Sequence, residues 1–164
     1  MSVALRPPAA ILERVTALPR APHPGIHWSE PERWIVKLRP LGHVAEHLVA
    51  PLVDALDAAL DGAPAPTCVL GPATVRPSGQ WLYAPVAGLD ELADEVFAAT
   101  EHLVPVTHPQ PYRGVLVLAT GRVPDDVRGV PVSGTWEPDE VALIADRSAP
   151  GRPRLVDLAT FPLE

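Results

Sequence analysis

Apolar positions along this chain follow two rhythms, a period of two and a period near 3.6, and the switches between them predict its elements. Ser2 to Arg6 alternates, with Val3 and Leu5 on one face, and reads as a short strand. Pro7 and Pro8 suit the first turn of a helix, where a missing N–H costs nothing, and Ile11, Leu12, Val15 and Leu18 follow at helical spacing. A Pro-rich turn over Arg20 to Gly25 precedes a strand at Ile26–Trp28, and Ser29 to Glu32 reads as another turn. Trp34 to Leu38 is a strand with a clean period of two. Trp34, Val36 and Leu38 point one way; Ile35, Lys37 and Arg39 point the other. Leu48, Leu52, Leu56 and Leu60 form an i, i+4 row, so roughly His43 to Leu60 is helical, with Pro51 kinking that helix or marking its true start.

Beyond a loop at Gly62 to Thr67, three short strands are separated by Gly and Pro signals: Cys68–Leu70, Thr74–Arg76 and Trp81–Ala84. Asp90 is placed to cap a helix carrying Leu92, Val96, Ala99 and Leu103. After a loop from Pro105 to Pro111, Val115–Ala119 is the strongest strand, and Asp139–Ala145 and Arg154–Leu158 supply two more. Pro77 to Gly79 and Ser133 to Thr135 read as turns, neither of them a nucleophile elbow. The order of elements argues for an α+β fold with mostly antiparallel sheets and helices on one side. Trp34 to Gly42 and Arg113 to Gly121 are both strands running into a Gly-bounded turn, and their key positions Ile35 and Val115 lie 80 apart in a chain of 164 residues. A pseudo-twofold pair of lobes would set these strands side by side across a cleft. One domain, 1–164, of two intertwined lobes is expected.

Composition narrows the function more than the fold. Apolar residues make up 47%, enough for a buried core, while 22 Pro and 11 Gly demand many turns. The net charge of −7 excludes a uniformly basic nucleic-acid or membrane surface but not a local basic cleft. The single cysteine, Cys68, excludes a disulfide framework and a cysteine zinc site, and reads as a core residue. No apolar run reaches the roughly 18 residues of a membrane span, and the N-terminus lacks a signal-peptide core, so a cytoplasmic protein is expected. His43 and His47 stand at i, i+4 with no third ligand in view; a solvated helix start is the expectation there, with no metal and no cofactor. The four tryptophans are expected in the core and between the lobes.

Several stretches together resemble the two-histidine (2H) phosphoesterases, in particular the bacterial 2′-5′ RNA ligase-like branch of RNA 2′,3′-cyclic phosphodiesterases. Trp28-Ser-Glu-Pro-Glu-Arg-Trp34-Ile-Val-Lys-Leu-Arg-Pro-Leu-Gly42 is similar to that family's W-x-x-P-E-x-W-H-V-T-L-R-F-L-G segment. Leu82-Tyr-Ala-Pro-Val86 resembles its L-W-x-G-V strand, and Arg113 to Thr120 its second motif strand, R-P-H-L-T-L-A-R. Trp136 to Ser148 resembles the closing segment, and the likeness covers nearly the whole chain. It implies a bilobal pseudo-twofold 2H phosphoesterase-like fold, two mostly antiparallel sheets facing across a cleft with helices outside. It also implies an activity resting on two His-x-Thr motifs, one imidazole acting as base and the other as acid on a cyclic phosphate, with no metal. Here those motifs fall on Ile35-Val-Lys37 and Val115-Leu-Val117. Neither histidine and neither threonine is present, and an aliphatic side chain cannot carry a proton.

Each missing acid or base is worth about 10²–10⁴ in rate, so the ancestral chemistry is expected to be lost and no catalytic residue is assigned. Strand alternation puts Ile35, Lys37 and Arg39 on one wall of the cleft, opposite Val115, Val117 and Ala119, with Tyr83 placed to stack on a ring. The expected occupant is a small anionic ligand with an apolar body, or a partner that the sequence does not name. The competing expectations are that Lys37 and Arg39 snorkel from a closed apolar interface, or that the chain is an enzyme after all. The enzyme would keep residual cyclic phosphodiesterase or RNA-ligating activity, with His108 replacing a lost group, or run an isomerisation or cyclisation in the apolar cleft. Tyr112 and Arg113, at the entrance of the second strand, are expected to be a solvated loop end.

Overall fold

The computed structural model describes all 164 residues. Its elements in chain order are β1 (Ser2–Leu5), α1 (Ala9–Thr16), β2 (Ile26–Trp28), β3 (Val36–Pro40), α2 (Val49–Leu60), β4 (Cys68–Leu70), β5 (Val75–Ser78), β6 (Trp81–Ala87), α3 (Asp90–Thr100), β7 (Val115–Gly121), β8 (Gly134–Trp136), β9 (Glu140–Asp146) and β10 (Leu155–Pro162). Every pairing is antiparallel. β10-β9-β1-β3 form one sheet and β2-β7-β6-β4-β8 the other, with β5 on the free flank of β6. The mixed α+β architecture with two antiparallel sheets agrees with the reading from sequence.

One core joins both sheets to the helices. The inner row of α2, Leu52, Leu56 and Leu60, packs with Val3, Leu5, Val36, Leu143, Leu82 and Leu116, all essentially inaccessible to solvent. α3 lies against α2 and β3, α2 also against β10, and α1 against β8. The opposite face of the four-stranded sheet carries a small separate cluster of Ala4, Ile35, Ala142 and Ile144.

Three local expectations are corrected. Ser133 to Thr135 is no free turn: Gly134–Trp136 is β8, paired with β4, and a Cβ on Gly134 would stand 2.6 Å from Ile11 Cδ1. Lacking a side chain there, the strand admits α1 against its edge. Asp90 is not the cap of α3; Leu89 holds that position, and Asp90 and Glu91 occupy the first turn, where the helix dipole favours them. Helix α2 starts at Val49 rather than near His43, with a 3-10 turn at Glu46–Leu48 before it, so of the two alternatives Pro51 marks the start and not a kink. No helix is long and apolar enough to cross a membrane.

Candidate functional site

The strands β3 and β7, one from each sheet, run past each other and leave a cavity of about 460 Å³ between them. Ile35 and Lys37 line it from one side, Arg113, Val115 and Val117 from the other. The segment around β2 closes one end with His27, Trp28, Ser29, Glu30 and Arg33, and Trp81 and Thr120 complete the wall. Ile35, Lys37, Val115 and Val117, the four positions that the resemblance sets against the His-x-Thr motifs, therefore face one space.

Two residues expected beside them are elsewhere, for one reason. β1 pairs Ala4 with Lys37 but Val3 with Arg39, so Leu38 is an extra residue in β3. Such a bulge breaks the period of two and turns the later side chains to the other face. Arg39 is thus only 3% exposed. Its guanidinium donates to the Thr100 hydroxyl and the Val104 carbonyl at the C-terminal end of α3, and lies 4.7 Å over the Phe97 ring. Burial lowers the pKa of Arg39, and Glu101 acts against that shift. β7 carries a matching bulge. Tyr83 pairs with Val117 but Leu82 with Ala119, so Leu118 is the extra residue. Ala119 is fully buried, and Thr120 takes the cavity-facing place.

Tyr83 shares the face of Val117 but is not among the cavity's walls; it sits beside Trp81, ring centroids 6.0 Å apart. Tyr112 is no solvated loop end. It packs on the core, its hydroxyl has no hydrogen-bond partner, and burial, with Asp90 and Cys68 adding to it, pushes that hydroxyl's pKa far up. Arg113 is exposed, as expected, and also lines the cavity. Gly114 sets it there: the backbone of Gly114 accepts from the Val86 N–H, and a Cβ would meet the Val86 carbonyl at 2.2 Å. His108 is exposed, its Nδ1 against the Thr107 carbonyl, and lies outside the cavity. Cys68 is buried in β4 as expected, which pushes its thiol pKa up to about 11.

Sequence reasoning missed His27, Trp28, Ser29, Glu30, Arg33, Trp81 and Thr120. Trp34 and Trp136 are buried as expected, but Trp28 and Trp81 face the cavity, the second 40% exposed. The indole N–H of Trp28 donates to the Ala21 carbonyl at 3.1 Å, which fixes that ring. The available signal was the β2 pattern itself: a short strand beside a cleft strand puts its polar residues on the rim.

The charges are uneven. The cavity holds Arg33, Lys37 and Arg113 against one carboxylate, Glu30. Arg33 is held by Asp146 at 3.1 Å, whereas the chain's other ion pairs involve neither Lys37, Arg113 nor Glu30. Hydrogen bonding with Ser148 does most to hold the Asp146 carboxyl below its ordinary range; burial opposes that shift, and the Arg33 guanidinium adds to it. Two unpaired cations from facing strands leave the floor of the cavity positively charged.

Nearly the full length of this chain superposes on LigT of Escherichia coli bound to 3′-AMP, with a TM-score of 0.82, 20% identity, and 99% of this chain and 96% of that chain covered. The fold is that of LigT. TT0787 of Thermus thermophilus matches equally broadly, with 23% identity, a TM-score of 0.77, and 99% and 96% coverage. A solved phosphoesterase matches with 21% identity, a TM-score of 0.79 and the same coverage. LigT itself has also been solved with NADP+, ATP and phosphate. No family model matches the chain, and no curated protein sequence matches it.

Proposed function

We propose that this chain is a 2H phosphoesterase-like protein that binds, without hydrolysing, a small phosphate-bearing ligand with an apolar body in the cleft between β3 and β7. The observation that supports the reading is that Ile35 and Val115, which stand where the resemblance would put proton carriers, line one cavity with Lys37 beside them. A cyclic phosphodiesterase step needs one group to take a proton and another to give one; aliphatic carbons do neither. Lys37 stands where the family's pattern has a phosphate-holding hydroxyl, and can grip a phosphate as a point charge, with Arg113 as a second, forked donor. The ligands bound by LigT, 3′-AMP and phosphate among them, support a phosphate in a cleft of this shape. Retained catalysis through His108 loses its support, because that imidazole lies outside the cavity.

Calorimetry with inorganic phosphate and with 3′-AMP tests the reading directly. Both should bind. Lys37→Ala should weaken both by about tenfold or more while leaving the urea midpoint nearly unchanged, since Lys37 is exposed and unpaired. Turnover of a 2′,3′-cyclic nucleotide by the purified protein would overturn it, as would affinity for both probes that ignores Lys37→Ala.

A further inference from the structure

Sheet edges are usually kept short, because a row of unpaired N–H and C=O groups invites another chain. Most edges of this molecule obey: β2 and β8 have three residues, β5 has four and β3 five. β10, the outer strand of the four-stranded sheet, has eight and is the longest strand of the chain. It pairs with β9 on one side only. Every other backbone group of such a strand points away from its partner, and between Val156 and Phe161 no loop or side chain bonds those groups. Val156, Leu158 and Ala159 are half-buried, and the strand's one carboxylate, Asp157, is held by Arg6.

The helix beneath that edge repeats the signal. α3 packs against β3 and α2, and α2 against β10, so α2 is the outer helix on the β10 side. Asp54 and Asp57 are the only polar residues among its twelve. A helix that is apolar all round is normally buried all round. Here only Leu52, Leu56 and Leu60 are buried; Val53, Ala55 and Ala59 are half-covered, and Ala50, Pro51 and Ala58 lie open. Charge then says which chain fits. The turn leading into β10 carries Arg147, Arg152 and Arg154, all exposed and none in an ion pair. The other end carries Asp57, Asp61 and Glu164, equally exposed and unpaired. These acids share one end because α2 finishes beside the end of β10, where the Glu164 N–H donates to the Ala63 carbonyl at 2.8 Å. An antiparallel copy of the same strand sets basic end against acidic end twice; a parallel copy sets like against like.

We propose that the free edge of β10 and the outer flank of α2 form a two-fold interface with a second copy of this chain, the two β10 strands lying antiparallel and joining the two four-stranded sheets into one. A face that pairs with itself in this way closes as a dimer. An eight-residue strand is about 27 Å long, and a strand edge with a helix flank beneath it is about 15 Å deep. Two such faces bury roughly 1,000 Å² in all, the lower end of what a specific interface needs, which makes the dimer a micromolar one. β3 stands at the opposite edge of the sheet, so both clefts stay open and the dimer is independent of what they bind.

Sedimentation velocity of the whole protein between about 1 and 300 µM should show monomer passing to dimer. Over the same range, hydrogen exchange of the amides from Val156 to Phe161 should slow by about tenfold, while that of β2 and β8 stays constant. Arg154→Glu, at an exposed position that spares the fold, should weaken the dimer about tenfold, and Asp61→Arg in the same chain should restore most of the loss. Circular dichroism should be unchanged in both variants. A monomer at every concentration overturns the interface, as does a dimer that leaves the amides from Val156 to Phe161 unprotected. A dimer indifferent to Arg154→Glu overturns the antiparallel pairing.

Discussion

β3 and β7 are the same device built twice, and their differences show where the molecule spends its side chains. An aliphatic residue faces the cavity at the entry to each strand, Ile35 just ahead of β3 and Val115 at the start of β7; each strand is interrupted by an extra leucine, Leu38 or Leu118, and these leucines are 80 positions apart. After the bulge the strands diverge. In β3 the residue turned inward is Arg39, which reaches across to tie down the C-terminal end of α3. In β7 it is Ala119, which fills its site with one methyl, and the next residue returns to the cavity as Thr120. The cations ahead of the two strands differ as well: Arg33 before β3 is held by Asp146, and Arg113 before β7 is unpaired. One side of the pseudo-symmetric pair is thus committed to holding the fold together, the other to the contents of the cleft.

That contrast breaks first at Arg39. Arg39→Ala should cost about 3 kcal/mol by removing two buried charged hydrogen bonds and leaving a void, read as a lower urea midpoint and thermal transition. Arg39→Met should recover most of the loss, because an apolar chain of similar length removes the buried charge along with its needs. Neither change should alter anion affinity in the folded fraction. A loss of affinity in the methionine variant with stability intact would return Arg39 to the ligand.

Ala119→Leu sharpens the comparison from the other strand. With no room behind β7, overpacking should cost about 2 kcal/mol in the same denaturation experiment. A neutral result would mean that the inward face after the Leu118 bulge is looser than its partner after Leu38.

The smallest effect concerns the tethered arginine. Asp146→Asn should release Arg33 toward the cavity and raise phosphate affinity about twofold, with stability changed by less than about 0.5 kcal/mol, since the pair is solvent-exposed. The sign with pH comes from the depressed carboxyl. A group whose pKa is lowered by folding adds stability above its unfolded value near 3.9 and loses it as pH falls through the lower folded value. The tether therefore stays intact from pH 5 upward, and any change in phosphate affinity between roughly pH 5 and 8 should persist in Asp146→Asn. A pH profile flattened by that substitution would contradict the assignment.

How far the sequence foretold this molecule can be judged at the same two strands. Period-two alternation placed Ile35, Lys37, Val115 and Val117 correctly on the cavity, because local backbone geometry governs up to that point. It failed one step later, at Arg39 and Ala119, because a bulge is set by pairing with β1 and β6, partners 30 or more positions away in sequence that leave no mark on the strand's own pattern. The helices were legible from the leucine row of α2 and the apolar spacing of α3. β8 was not, since a Ser-Gly-Thr stretch signals a turn unless α1 is known to need a bare backbone to lie against. The aromatic end of the cavity was hidden for a related reason. Trp28 reaches the cavity through the pairing of β2 with β7, beside a Gly121 whose Cβ would lie 2.2 Å from the Gly25 carbonyl, and Trp81 through its place on β6 next to β7.

The imbalance of charge has an outcome for what can arrive at all. A cleft with three cations and one carboxylate sits on a molecule whose overall charge is −7. At physiological salt its pull fades within about 8 Å, so a visitor is repelled by the surroundings until it is nearly inside. A short anion meets the net negative charge of the surroundings only on its way in. A long polyphosphate strand would keep its remaining charges against the rest of the molecule, so anion affinity should fall with length before shape selects.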